Sequence, residues 1–256
     1  MSEVGGSICL RMEKFFQMAD LLWQILFRAH DLLADMLIRF GSSLKRLILI
    51  LAHLSVVIGI MVPSFRRGFG EAAGALLIFL LFLSPLSKIF RMRLLLLLMG
   101  FRREIGILMG YFACIHGIGY IFQGYDMRTA ASLSGSVVGF ALFSGFFAMV
   151  LLVPLILTSN RMSGRILGAW WKRLHALVYP AFIFVVLHRA LIGAGREGVS
   201  MVVRGLEAAL LLGSYGILKL LAWRDFSPFL RQISERVARS YESYHEKRSS
   251  VERKRI

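Results

Sequence analysis

The apolar positions of this chain come in long unbroken runs, not in the alternation of half-buried strands or the single stripe of a soluble helix. A helix needs about 20 mostly apolar residues to cross a bilayer. Six stretches meet that requirement: 46–63, 70–87, 104–123, 136–158, 174–193 and 199–222. The run Leu94–Met99 is too short to span, so 88–103 reads as a connection lying partly in the interface. Ahead of the first span, Phe15, Phe16, Leu21, Leu22, Trp23, Leu26 and Leu32 are interleaved with Arg11, Glu13, Lys14, Asp20, Arg28, Asp31 and Asp35. That mixture predicts an amphipathic helix at the membrane surface. Behind the last span, Arg231, Glu235, Arg239, Glu242 and Lys247 read as a solvated helix able to touch anionic lipid. The expected organisation is an amphipathic cytoplasmic or interfacial segment over 1–44, an all-α bundle of six transmembrane helices over 45–223 and a basic cytoplasmic tail over 224–256.

Composition agrees with this pattern. Of the 256 residues, 57% are hydrophobic and 18% charged, and the mean hydropathy is +0.68, too apolar for an ordinary soluble domain of this length. Lys and Arg outnumber Asp and Glu by 31 to 15, an excess that elsewhere points to nucleic acid. Here the basic residues gather at the ends of apolar runs and in the tail, so they read as topology signals and argue against a nucleic-acid partner. Lys45 and Arg46 precede the first span, Lys88, Arg91, Arg93, Arg102 and Arg103 lie between the second and third, and Arg161, Arg165, Lys172 and Arg173 lie between the fourth and fifth. The opposite loops carry fewer. Basic loops stay on the cytoplasmic side, so an even number of spans puts both termini in the cytoplasm.

The two cysteines, Cys9 and Cys114, lie far apart with no C-x-x-C partner, which supports neither a disulfide framework nor a thiolate metal site. Gly193–Gly198 fits G-x-G-x-x-G in letters but has no strand before it, and reads as an outer turn. The small residues Ser132, Ser134, Gly135, Ser136, Gly139, Ser144 and Gly145 permit close approach of a neighbouring helix or a cofactor. No H-E-x-x-H, G-x-S-x-G or P-loop pattern appears, which leaves hydrolytic and phosphoryl-transfer chemistry without footing.

The histidines carry the candidate chemistry. Four of the six, His53, His116, His175 and His188, lie within or at the ends of spans, where an ionisable side chain is costly and marks a functional site by default, although a single one also serves simply to bond across helices. At about 1.5 Å per residue, His116 lies about 20 Å along its helix from Arg103 and His188 about 22 Å from Arg173. The two are level. A haem lying edge-on between helices needs one neutral imidazole on each face of its iron at equal height, and His116 and His188 meet that condition. His53 and His175 match less well, at about 10 Å and about 3 Å from their basic boundaries. A second haem between them requires the helices to slide or tilt. His175 and His188 are also out of phase on an ideal helix, and Pro180 between them is a candidate kink that would bring them to one groove. Arg102, Arg103, Lys172 and Arg173 read as headgroup anchors, with haem propionates as the alternative partner for Arg103 and Arg173.

Phe101–Tyr120, Leu157–Leu191, the first span with its histidine and the prolyl segment Leu83–Leu86 resemble the ferric reductase-like transmembrane domain family. The likeness is to its YedZ/MsrQ-like branch, the haem-binding membrane subunits of bacterial methionine sulfoxide reductase systems. It runs from about residue 45 to about residue 222. The resemblance implies a six-helix bundle in the bacterial inner membrane that binds b-type haem through His116 and His188, with His175 a further ligand or haem neighbour. It also implies electrons arriving from a cytoplasmic flavin reductase or from quinone and leaving to a periplasmic redox acceptor. FMN is associated with the branch, but no residues here are assigned to it. The amphipathic start and the basic tail depart from the family pattern. Two other functions remain open at this point: a stand-alone metalloreductase acting on ferric chelates, and a haem-free scaffold or transporter subunit whose histidines serve only helix contacts.

Overall fold

The computed structural model describes the backbone of residues 2–125, 127–133, 135–196 and 200–223 and the side chains of 24–26, 28–125, 128–133, 135–193 and 200–223. The basic tail, with His245, lies outside the described residues.

Every regular element among the described residues is helical. In chain order they are α1 (Ser2–Met61), a 3-10 turn (Pro63–Phe65), α2 (Arg66–Phe90), α3 (Arg93–Met99), α4 (Arg102–Ile121), α5 (Met127–Ser132), α6 (Val137–Leu157), α7 (Arg161–Leu167), α8 (Ala169–His175), α9 (Val178–Arg196) and α10 (Met201–Trp223). Six segments are long and apolar enough to cross a membrane: Gln24–Met61, Pro63–Phe90, Arg102–Ile121, Val137–Leu157, Ala169–Gly193 and Met201–Trp223. The protein is an all-α, multi-pass integral membrane bundle. Its outer surface agrees, since α10 alone leaves Val202, Leu206, Leu210, Ile217 and Leu220 mostly exposed. Such an apolar face is stable against lipid and a liability in water.

The core forms where α2, α4, α6, α9 and α10 meet, from Ala73, Leu77, Leu81, Met109, Leu152, Leu155, Ala181, Phe182, Val186 and Tyr215. Helix α4 is central and touches α1, α2 and α6; α9 packs on α6 and α10, and α10 closes back onto α2. Small residues permit that closeness: a side chain on Gly110 would overlap Ile156 of α6, and one on Gly59 would overlap Ile115 of α4.

Three features differ from the pattern expected of the sequence. The N-terminal segment and the first span are one continuous helix. Its amphipathic part docks on α3, where Asp35 pairs with Arg93 at 3.3 Å and the Leu94 N–H donates to His30 Nε2 at 3.4 Å. Second, α2 runs beyond the expected span 70–87 at both ends, from Arg66 through Pro85 to Phe90, and ends at Arg91 in the left-handed conformation. Proline removes one helical bond, and inside a membrane bundle neighbouring groups tolerate that loss.

Third, the fifth span is broken ahead of Pro180. Helix α8 ends at His175, α9 begins at Val178, and Pro180 falls in the first turn of α9, where a missing N–H costs nothing. The discontinuity thus separates His175 from His188 without a proline kink inside a helix. Gly193 to Arg196 belong to the last turn of α9, not to a loop.

Candidate functional site

The site is built on α4 and α9, with α2 and α6 as its backing. His116 lies one turn before the end of α4, and its Nδ1–H donates to the carbonyl of Arg66 on α2 at 2.9 Å. His188 lies in α9, and its Nδ1–H donates to the carbonyl of Ala141 on α6 at 2.7 Å. Each bond places a proton on Nδ1, the arrangement in which a neutral ring presents Nε2 to a metal.

The two supports share one design. In a helix the carbonyl of residue i points towards residue i+4, so a side chain reaching that oxygen must pass close to position i+4. That position is Gly70 beneath His116 and Gly145 beneath His188. A Cβ on Gly70 would overlap the His116 ring, and one on Gly145 would lie 2.7 Å from His188 Nδ1 and 2.8 Å from Cε1.

The two rings lie next to each other with centroids 6.2 Å apart and their planes nearly perpendicular, at 77°. Two ring radii of about 1.1 Å and two metal–nitrogen bonds of about 2.0 Å place imidazoles on opposite sides of one metal ion at that separation. Tyr120 closes against His116 edge-on at 4.9 Å, and Phe147 stacks with Phe184 across α6 and α9 at 5.7 Å. Among the described residues no three His, Cys, Asp or Glu side chains converge. The site therefore offers two imidazoles, short of the three or four ligands of a zinc site and the number that would hold the iron of a haem.

The other candidates lie elsewhere. His175 stacks on Trp171 at 4.0 Å, and its Nε2 is 3.3 Å from Thr158 Oγ1. The Thr158 hydroxyl already donates to the Pro154 carbonyl at 2.6 Å, so it accepts from His175 Nε2–H. That tautomer is opposite to that of His116 and His188. His53 donates from Nδ1 to the Leu49 carbonyl at 2.7 Å and meets Tyr111 Oη at 3.4 Å, in the groove between α1 and α4. The structure does not bring His53 and His175 together. Arg103 bonds the buried Glu104 at 2.9 Å, and Arg173 lies 4.6 Å over the Trp170 ring.

The second rank of the site, Gly70, Gly145 and the carbonyls of Arg66 and Ala141, is not among the residues singled out for ligation from sequence. Its only local signal is a glycine inside an otherwise apolar helix.

Residues 69–186 match the model of the ferric reductase like transmembrane component. The chain is 32% identical over 151 residues to the protein-methionine-sulfoxide reductase heme-binding subunit MsrQ of Brucella anthropi, covering 59% of this chain and 67% of that protein. It is 31% identical over 170 residues to the MsrQ subunits of Brucella ovis and Brucella melitensis, covering 66% of this chain and 71% of each of them. The chain belongs to the ferric reductase-like transmembrane family, in its MsrQ-like branch. No solved structure matches it significantly. The ferric reductase-like match begins beside Gly70, takes in His116, Gly145 and His175, and ends two residues before His188. His116 thus lies inside the matched segment and His188 just beyond its end.

Proposed function

We propose that the chain is a membrane haem redox subunit in which His116 and His188 are the axial ligands of a b-type haem. The observation that carries this reading is the pair of imidazoles 6.2 Å apart, each tied through Nδ1 to a backbone carbonyl. The relatives it resembles carry the name heme-binding subunit, which agrees. A haem bound there supplies a one-electron iron couple. The protein's part is to hold both ring nitrogens in the ligating tautomer, to orient the rings through α2 and α6 and to keep water out with the surrounding aromatic side chains.

In this reading the chain lies in the bacterial inner membrane with its basic face in the cytoplasm. It takes electrons from a cytoplasmic flavin or a quinone and delivers them to an acceptor on the outer side. His175, with its Nε2–H given to Thr158, ties α8 to the end of α6, and Arg103 and Arg173 anchor helix ends. The test is the absorption spectrum of the dithionite-reduced, purified protein. The wild type is expected to show a low-spin b-type haem. Single His116→Ala and His188→Ala variants are expected to lose it or convert it to a weakly held high-spin form. A double variant that keeps the full reduced spectrum would overturn the assignment.

A further inference from the structure

The C-terminal ends of α2 and α10 form an open cavity of about 300 Å³ at the basic face of the bundle, lined among others by Ser84, Lys88, Lys219, Leu220 and Trp223. The volume is that of a small ligand pocket. Two ammonium groups reach it. Lys219 Nζ donates to the Tyr179 hydroxyl at 2.9 Å and lies 4.8 Å over that ring, a partner that orients the lysine. Lys88, in the last turn of α2, has no hydrogen-bond or ion-pair partner among the described residues. The carboxylates whose side chains are described are committed elsewhere: Asp31 to His30, Asp35 to Arg93, Glu71 to Arg67, Glu104 to Arg103 and Glu207 to Arg204. The cavity therefore carries two positive charges and no anion from the described chain. Its lining is divided, with lysines and a serine hydroxyl beside the apolar Leu220 and Trp223.

We propose that this cavity binds the phosphate of an anionic amphiphile, with an acidic phospholipid of the same leaflet as its source. Lys88 and Lys219 take the phosphate oxygens as point-charge donors, Ser84 is placed to add a hydroxyl, and Leu220 and Trp223 lie along the first methylenes. Basic pockets between transmembrane helices recognise acidic headgroups in this way. The bound lipid would fasten α2 to α10, the contact that closes the ring of helices.

The experiment uses the full-length protein in nanodiscs of phosphatidylcholine alone, of phosphatidylcholine with phosphatidylglycerol, or of phosphatidylcholine with inorganic phosphate in the buffer. Thermal unfolding and the acidic lipid retained after extraction are read in each. Phosphatidylglycerol is expected to raise the unfolding temperature and to be retained. The Lys88→Gln, Lys219→Gln variant is expected to bind it about thirtyfold more weakly, since each lysine near an anionic surface is worth about a factor of five. Arg165→Gln, in a basic loop of the same face but off the cavity, is the control and should bind as wild type does. If the double variant fails to insert, Lys88→Gln alone is read, because it removes no contact within the described protein. Inorganic phosphate protecting the wild type but not the variant supports the phosphate site with a soluble ester as its source. Equal protection of wild type and variant overturns the proposal, as does protection in neither arm.

Discussion

Gly145 of α6 and His188 of α9 are in such close contact that a single methyl group on the glycine would lie 2.7 Å from His188 Nδ1. The neighbour cannot yield cheaply, because Nδ1 is also fixed to the Ala141 carbonyl one turn below. Gly145→Ala is therefore expected to tilt the imidazole and to lower the haem retained on purification by about tenfold or more, the usual penalty for disturbing a group that orients a metal ligand. Gly70→Ala should do the same through His116. Gly205→Ala and Gly213→Ala, where an added Cβ meets nothing within 4 Å, should leave haem content unchanged. Pyridine haemochrome assays on the four variants check this.

His53 and His175 have partners of their own, Tyr111 and Thr158. Single His53→Ala and His175→Ala variants are expected to keep the reduced spectrum of the His116–His188 haem. His175→Ala should also loosen the junction of α6 and α8, seen as faster protease cleavage between Ser159 and Gly168. Loss of a distinct haem component in either variant would mean that a second haem is ligated there.

Glu104 is buried, and its Oε2 has no hydrogen-bond partner among the described residues. Its Oε1 takes both Nε and Nη2 of Arg103, at 3.2 Å and 2.9 Å. Arg103→Ala would leave a carboxylate in a low-dielectric site without its cation, at a cost on the order of 2 kcal/mol. Glu104→Gln, which still accepts from Arg103, should cost much less. Unfolding temperatures in detergent compare the two, and an unchanged haem spectrum in Arg103→Ala is expected if the arginine anchors a helix end.

The positive-inside tendency predicts that the basic loops carrying Arg91, Arg93 and Arg165 face the cytoplasm. Reporter fusions at Arg91 and Arg165 should report the cytoplasm, and fusions at Arg67 and Arg128 the outer side. One reversed loop would break the six-span topology.

The six spans were legible because a bilayer demands long apolar runs, and that demand is local in sequence. The central stretches of all six fall inside helices, whereas the ends moved. The second span ran on past its expected end to Phe90, and the first span grew backwards through a segment that reads as a surface helix. Helix ends depend on what receives the terminal polar groups, and here Arg93 and the Leu94 N–H receive α1 through Asp35 and His30. No local pattern specifies such a contact.

The same division runs through the site. By itself the sequence determined that four histidines lie at membrane depth and that His116 and His188 stand at equal height, since rise per residue converts position into depth. Only the tertiary structure decided which imidazoles lie next to each other and which tautomer each adopts. Azimuth depends on how α4 and α9 are rotated and on where the chain breaks between His175 and Val178. Tautomer depends on carbonyls, those of Arg66 and Ala141, that belong to other helices. It also depends on Gly70 and Gly145, which look like ordinary small residues until the helix carrying each histidine is laid across them.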